Sequence, residues 1–150
     1  MVSTIAFIQA NLQQSIAASG TLARTVSVEW VDVAQVQKPS YREDCIRGLT
    51  VSGYTLYSAG GKERRRVCIL ARNMNAWVLP DFSCRDPVAI QMKYLEDGAE
   101  RRLVVCSAYL SFSCELYIET QRTYRREVGK ASKETWRTSL WLHQWLAQVG

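Results

Sequence analysis

Three places in this sequence carry polar side chains where chemistry could be done. The first is Gln37-Lys38-Pro39, at the end of a run whose apolar members Val31, Val33, Ala34 and Val36 are strand formers. Pro39 cannot donate to a sheet ladder, so the strand should stop near Lys38 and leave polar side chains at the sheet edge, where α/β sheets bind their ligands. The second is Asn11, which follows the apolar stretch Thr4 to Ala10 and whose type and position also suit a helix N-cap. The third is the basic turn Lys62-Glu63-Arg64-Arg65-Arg66. Such a run is either a solvated turn or a set of phosphate contacts, which position a nucleic acid without reading its sequence.

Other reactive residue types supply little. Among the five cysteines, Cys45, Cys68, Cys84, Cys106 and Cys114, no pair has metal-ligand or redox spacing, and the odd number fits a reduced compartment. Cys68 and Cys106 lie in strand-like runs and read as small core hydrophobes. His143, the sole histidine, sits in Trp141-Leu142-His143-Gln144-Trp145 and reads as a helix-surface residue.

The elements that must hold these residues follow from periodicity. Thr4 to Ala10 is apolar on both faces, as a central strand would be, and Leu12 to Val28 has a helical pattern weakened at Gly20 by about 1 kcal/mol. With Val31 to Val36 these make a strand-helix-strand unit, whose crossover should be right-handed. Tyr41 to Gly53 is polar and turn-rich, a loop. Strands are then expected at Tyr54–Ala59, Val67–Arg72, Ala76–Leu79 and Val88–Leu95, separated by turn chemistry as an antiparallel meander, with Leu103–Leu110 another central strand.

Asn11, Gln37-Lys38-Pro39, Tyr57-x-Ala59-Gly60-Gly61, Arg72-Asn73 and Ser107-Ala108-Tyr109-Leu110 together resemble the endonuclease/exonuclease/phosphatase superfamily, specifically the apurinic-type endonuclease domain of insect non-LTR retrotransposons. The resemblance implies an α/β fold: the first half of an endonuclease-type β-sandwich, a mixed sheet with a flanking helix. It also implies an ancestry in magnesium-dependent phosphodiester hydrolysis. Asn11 would then orient a water or assist the metal shell, and Tyr109 would donate to a phosphate or be an aromatic at the rim of the core. The family's second motif is Gln-Glu-Pro, whose Glu holds the cation, and here Lys38 stands at that position. Mg²⁺ takes oxygen ligands and an ammonium repels it, so no metal ligand is expected. Lys38 is either a decayed catalytic position or a point charge that holds a DNA phosphate directly.

The resemblance ends near residue 110. Residues 111–150 hold none of the Asp and Asp-His motifs of the family's second half, and read instead as a basic, Trp-rich helix similar to the region before a reverse transcriptase, with Arg125 and Arg126 as further phosphate contacts. The expected division is therefore 1–110 and 111–150. A chain holding only the first sheet would expose an apolar face, open to self-association or to cover by the tail helix. The net charge of +5 permits non-specific DNA binding. No apolar run reaches the roughly 20 residues that span a bilayer. The expectation is an intracellular protein, nuclear if the family role is retained, acting as an inactive endonuclease-like piece or as a non-catalytic nucleic-acid-binding or protein-interaction piece.

Overall fold

A computed structural model describes residues 5–59, 65–73, 75–83 and 87–109. The chain forms β1 (Phe7–Asn11), α1 (Ile16–Val28), β2 (Val33–Gln37), β3 (Tyr41–Arg42), β4 (Cys45–Ile46), β5 (Tyr54–Tyr57), β6 (Val67–Arg72), β7 (Asn75–Val78), a 3₁₀ turn (Pro80–Phe82), β8 (Pro87–Glu96) and β9 (Ala99–Ala108). The expected tail, with Arg125, Arg126 and His143, lies outside the described residues. So do Lys62 and Arg64.

Two sheets pack face to face. The first has the strand order β1-β2-β6-β5, with β1 parallel to β2 and the other pairs antiparallel. The second is the meander β7-β8-β9. Val33, Val67, Ile69 and Ala71 of the first sheet meet Val88, Ile90, Met92, Leu103 and Val105 of the second in one core. On its other face the first sheet buries Ala34, Val36, Cys68 and Leu70 beneath Leu22 and Val26 of α1. The β2 and β6 strands are thus covered on both sides, and the Val67–Ala71 run of β6 is accordingly continuously apolar. No helix among the described residues is long and apolar enough to cross a membrane.

The fold is the α/β, endonuclease-type sandwich that the sequence implies, with several local corrections. The meander expected from Tyr54 to Leu95 is divided: β5 and β6 belong to the first sheet, and the chain crosses to the second after Arg72. Because β8 and β9 close over it, the face of the first sheet is not open as expected. β1 is an edge strand rather than a central one, paired only to β2 among the described residues, and Phe7 remains 39% exposed. The loop expected at Tyr41 to Gly53 contains a hairpin, β3-β4, turned by Glu43 and Asp44 with φ of 50° and 61°. Those values match a type I′ turn. α1 starts at Ile16, later than expected, because Ser15 caps it by accepting from the Ala18 N–H at 3.1 Å.

Candidate nucleic-acid interface at the strand ends

β1 and β2 run in parallel and end side by side, with Asn11 in register with Gln37. Two bonds tie the segments that leave them: Leu12 N–H donates to the Gln37 carbonyl at 2.9 Å and Gln14 N–H to that of Lys38 at 2.8 Å. The ladder between β2 and β6 continues one step further, from Lys38 N–H to the Arg66 carbonyl at 2.7 Å. Lys38 then adopts a left-handed backbone, φ 46°, which turns the chain sharply before Pro39. A non-glycine residue in this region is uncommon and costs of order 1 kcal/mol, held here by the backbone bonds on both sides.

From that corner the Lys38 side chain lies over the ring of Tyr109, with Nζ 5.0 Å from the ring centroid. The Arg66 guanidinium lies against the same ring at 5.5 Å. Two cations share one aromatic side chain, and the π-system, negative on its face, partly offsets their repulsion. Tyr109 is placed there by β9, and β9 is held by β2. Gln35 Nε2 donates to the Cys106 carbonyl at 2.8 Å, Gln37 Nε2 to the Ala108 carbonyl at 2.7 Å, and the buried Ser107 hydroxyl to the Val36 carbonyl at 3.3 Å.

Asn11 is not the helix cap. Its Oδ1 accepts from the Gln13 N–H at 3.1 Å, an Asx turn that steers the chain away from the sheet and leaves the side-chain amide group as the donor. The structure thus brings together Asn11, Lys38, Arg66 and Tyr109 at one end of the sandwich. Arg65, beside them in sequence, is half-buried, and its Nε is enclosed without a hydrogen-bond partner among the described residues.

The described residues at this strand-end corner do not fit a divalent cation. Among the described residues no three His, Cys, Asp or Glu side chains gather, and the strand-end corner presents an ammonium and a guanidinium over the Tyr109 ring. A cation there would meet like charge where it needs oxygen ligands.

Sequence reasoning missed two features. The inter-sheet bonds of Gln35 and Gln37 had a signal, since two amides at period-two spacing on an otherwise apolar strand must find partners once buried. The other is at the opposite end of β2. There Asp32 pairs with Arg72 at 2.5 Å and accepts from the Ala6 N–H at 2.8 Å, while Arg72 stacks 5.1 Å from the Trp30 ring.

No protein-family model and no curated protein matches the sequence. Solved structures share its fold, among them the endonuclease domain of a retrotransposon. The endonuclease domain of TRAS1, a telomere-specific non-LTR retrotransposon, superposes with a TM-score of 0.66 at 18% identity, over 84% of this chain and 54% of that one. D. rerio TDP2 complexed with a single-strand DNA product gives 0.56 at 12% identity, over 85% and 56%. TDP2 from C. elegans gives 0.54 at 13% identity, over 86% and 44%. The chain therefore spans about half the length of the structures it matches.

Proposed function

We propose that this chain is an endonuclease-type domain that contacts the phosphates of a nucleic acid without cleaving them. The observation that carries the reading is the placement of Lys38 Nζ over Tyr109, beside Arg66, where the resembled family has a metal-binding carboxylate. An ammonium there supplies positive charge to a phosphate, as the cation does, but it cannot activate a water or act as a Lewis acid on the scissile group. Asn11 offers a neutral donor on the neighbouring strand end. One structural relative, D. rerio TDP2, is complexed with a single-strand DNA product, which supports nucleic acid as the partner of this fold.

Contacts of this kind make affinity electrostatic and blind to sequence. The experiment is a salt titration of binding to unrelated duplexes by fluorescence anisotropy, with a magnesium-dependent plasmid-nicking assay alongside. Expected are equal affinities for the duplexes, a steep fall with salt at a log-log slope of about −0.9 per phosphate neutralised, and no nicking. Nicking that depends on Mg²⁺, or sequence-selective binding indifferent to salt, overturns the reading. A restored carboxylate, Lys38→Glu, should weaken DNA binding and gain no cleavage, since among the described residues no three His, Cys, Asp or Glu side chains gather as a metal site.

A further inference from the structure

We infer that Arg65 is a phosphate contact held in reserve: its side chain folds inward in the unbound chain and turns outward when a nucleic acid engages Lys38. The inference rests on the nucleic-acid reading of the strand-end corner and adds to that site a cation which the resting geometry hides. Arg65 stands one residue, about 3.8 Å along the chain, from Arg66, whose carbonyl accepts from the Lys38 N–H at 2.7 Å. The corner is thus within reach of its side chain.

The resting position is one that an arginine holds at a cost. The side chain is half-buried, and Nε is enclosed without a hydrogen-bond partner among the described residues. The carboxylates that form ion pairs there serve other cations: Glu43 pairs with Arg42, Asp32 with Arg72, Glu100 with Lys93 and Glu96 with Arg101. The Arg65 guanidinium lies instead on the side of the core beneath α1. Burial pushes the Cys68 thiol of that core upward, and the Arg65 charge is near enough to oppose the push. An enclosed donor without a partner forfeits the hydrogen bond that water would give it, and on a charged group the loss is larger. Because Nε is enclosed, no further group can reach it while the side chain stays in place. It gains a partner only by moving.

Tyr41, two residues beyond Pro39, repeats the feature on the other segment that leaves the corner, its hydroxyl enclosed without a partner among the described residues. Both segments that meet at the Lys38–Arg66 rung therefore carry an unsatisfied polar atom just past it, and freeing either atom breaks no hydrogen bond of its own. Charge supplies the switch. Lys38 and Arg66 already place two cations on the Tyr109 ring, and their repulsion favours the inward position of a third. A phosphate bound at the corner reverses the sign of that field. It also offers paired oxygens to the planar donors of a guanidinium, Nε among them, a geometry that the ammonium of a lysine does not match.

The test compares the full 150-residue chain with Arg65→Met and Arg65→Lys. Each variant puts a carbon where Nε was, so each should melt at a higher temperature than the parent. In anisotropy titrations on duplex DNA at several salt concentrations, Arg65→Lys should keep the parent's slope, because it keeps the charge, whereas Arg65→Met should lower its magnitude by about 0.9. In nitrogen-15 spectra the Arg65 Nε–H signal, assigned by its absence from Arg65→Lys, should exchange slowly with water in the free protein and shift downfield when duplex saturates it. A salt slope unchanged in Arg65→Met, a lower melting temperature in both variants, or an Nε–H signal unmoved by DNA overturns the inference. If Lys38→Gln reduces the slope and Arg65→Met does not, this inference falls alone; if the parent chain binds no DNA, the reading of the corner falls with it.

Discussion

The side-chain amide of Gln37 donates to the carbonyl oxygen of Ala108 at 2.7 Å, and the next residue on each strand, Lys38 and Tyr109, meets the other at 5.0 Å from ammonium to ring centroid. One hydrogen bond between sheets thus sets the spacing of the two groups on which the proposed phosphate contact depends. Gln37→Ala should cost about 1–3 kcal/mol in urea unfolding, because the Ala108 carbonyl and part of the inter-sheet space lose their partner. It should also weaken DNA binding while leaving the number of charges unchanged.

Lys38→Gln removes a charge and keeps a polar side chain of similar reach. The magnitude of the salt slope for DNA binding should drop by about 0.9, the loss of one neutralised phosphate, while the preference among sequences stays flat. Anisotropy titrations of the two proteins at several salt concentrations read this directly.

Asp32 is mostly buried, its side chain 13% exposed, and it serves both Arg72 and the Ala6 N–H. Asp32→Ala leaves a half-buried guanidinium without its carboxylate and a backbone donor without its acceptor. A loss of about 3 kcal/mol is expected in chemical denaturation, and Trp30, stacked on Arg72, should change its fluorescence in the native state.

Gly20 lies in the interior of α1, and a Cβ added there would meet nothing within 4 Å. Gly20→Ala should therefore stabilise the protein by about 0.5–1 kcal/mol through helix propensity and a less flexible unfolded chain. Thermal melts of the variant and the parent measure the gain.

Burial pushes the Cys68 thiol up from 9.0 to about 12. The folded state therefore keeps this proton when the unfolded chain has lost it. The stabilisation is fully present below pH 9 and disappears as pH rises through the folded value, so stability should fall with increasing pH above 9. Cys68→Ala should flatten that alkaline limb in urea unfolding followed from pH 8 to 11. At pH 8 the exposed Cys45 should react with a thiol reagent, while the buried Cys68 should not react in folded protein.

The sequence by itself determined the existence and type of most strands, because buried strands such as Val67–Arg72 must be apolar and their turns must use glycine, proline, asparagine or aspartate. It determined the position of the strand end at Gln37-Lys38-Pro39, because proline stops a ladder whatever its surroundings. It also placed a lysine at that strand end, a matter of one residue's charge. Tertiary structure alone decided that β1 lies at an edge, since an apolar strand covered on one face and an apolar strand enclosed on both look alike in one dimension. It decided that the meander splits between two sheets, because strand type does not encode which sheet a strand joins. It brought Arg66 and Lys38 to the same face of Tyr109's strand end, residues far apart in sequence that only the packing of β9 across β2 and β6 makes neighbours. Local hydrogen bonding settled the role of Asn11: Ser15, four residues further on, supplies the helix cap, which leaves the Asn11 side chain to close its own turn beside the site.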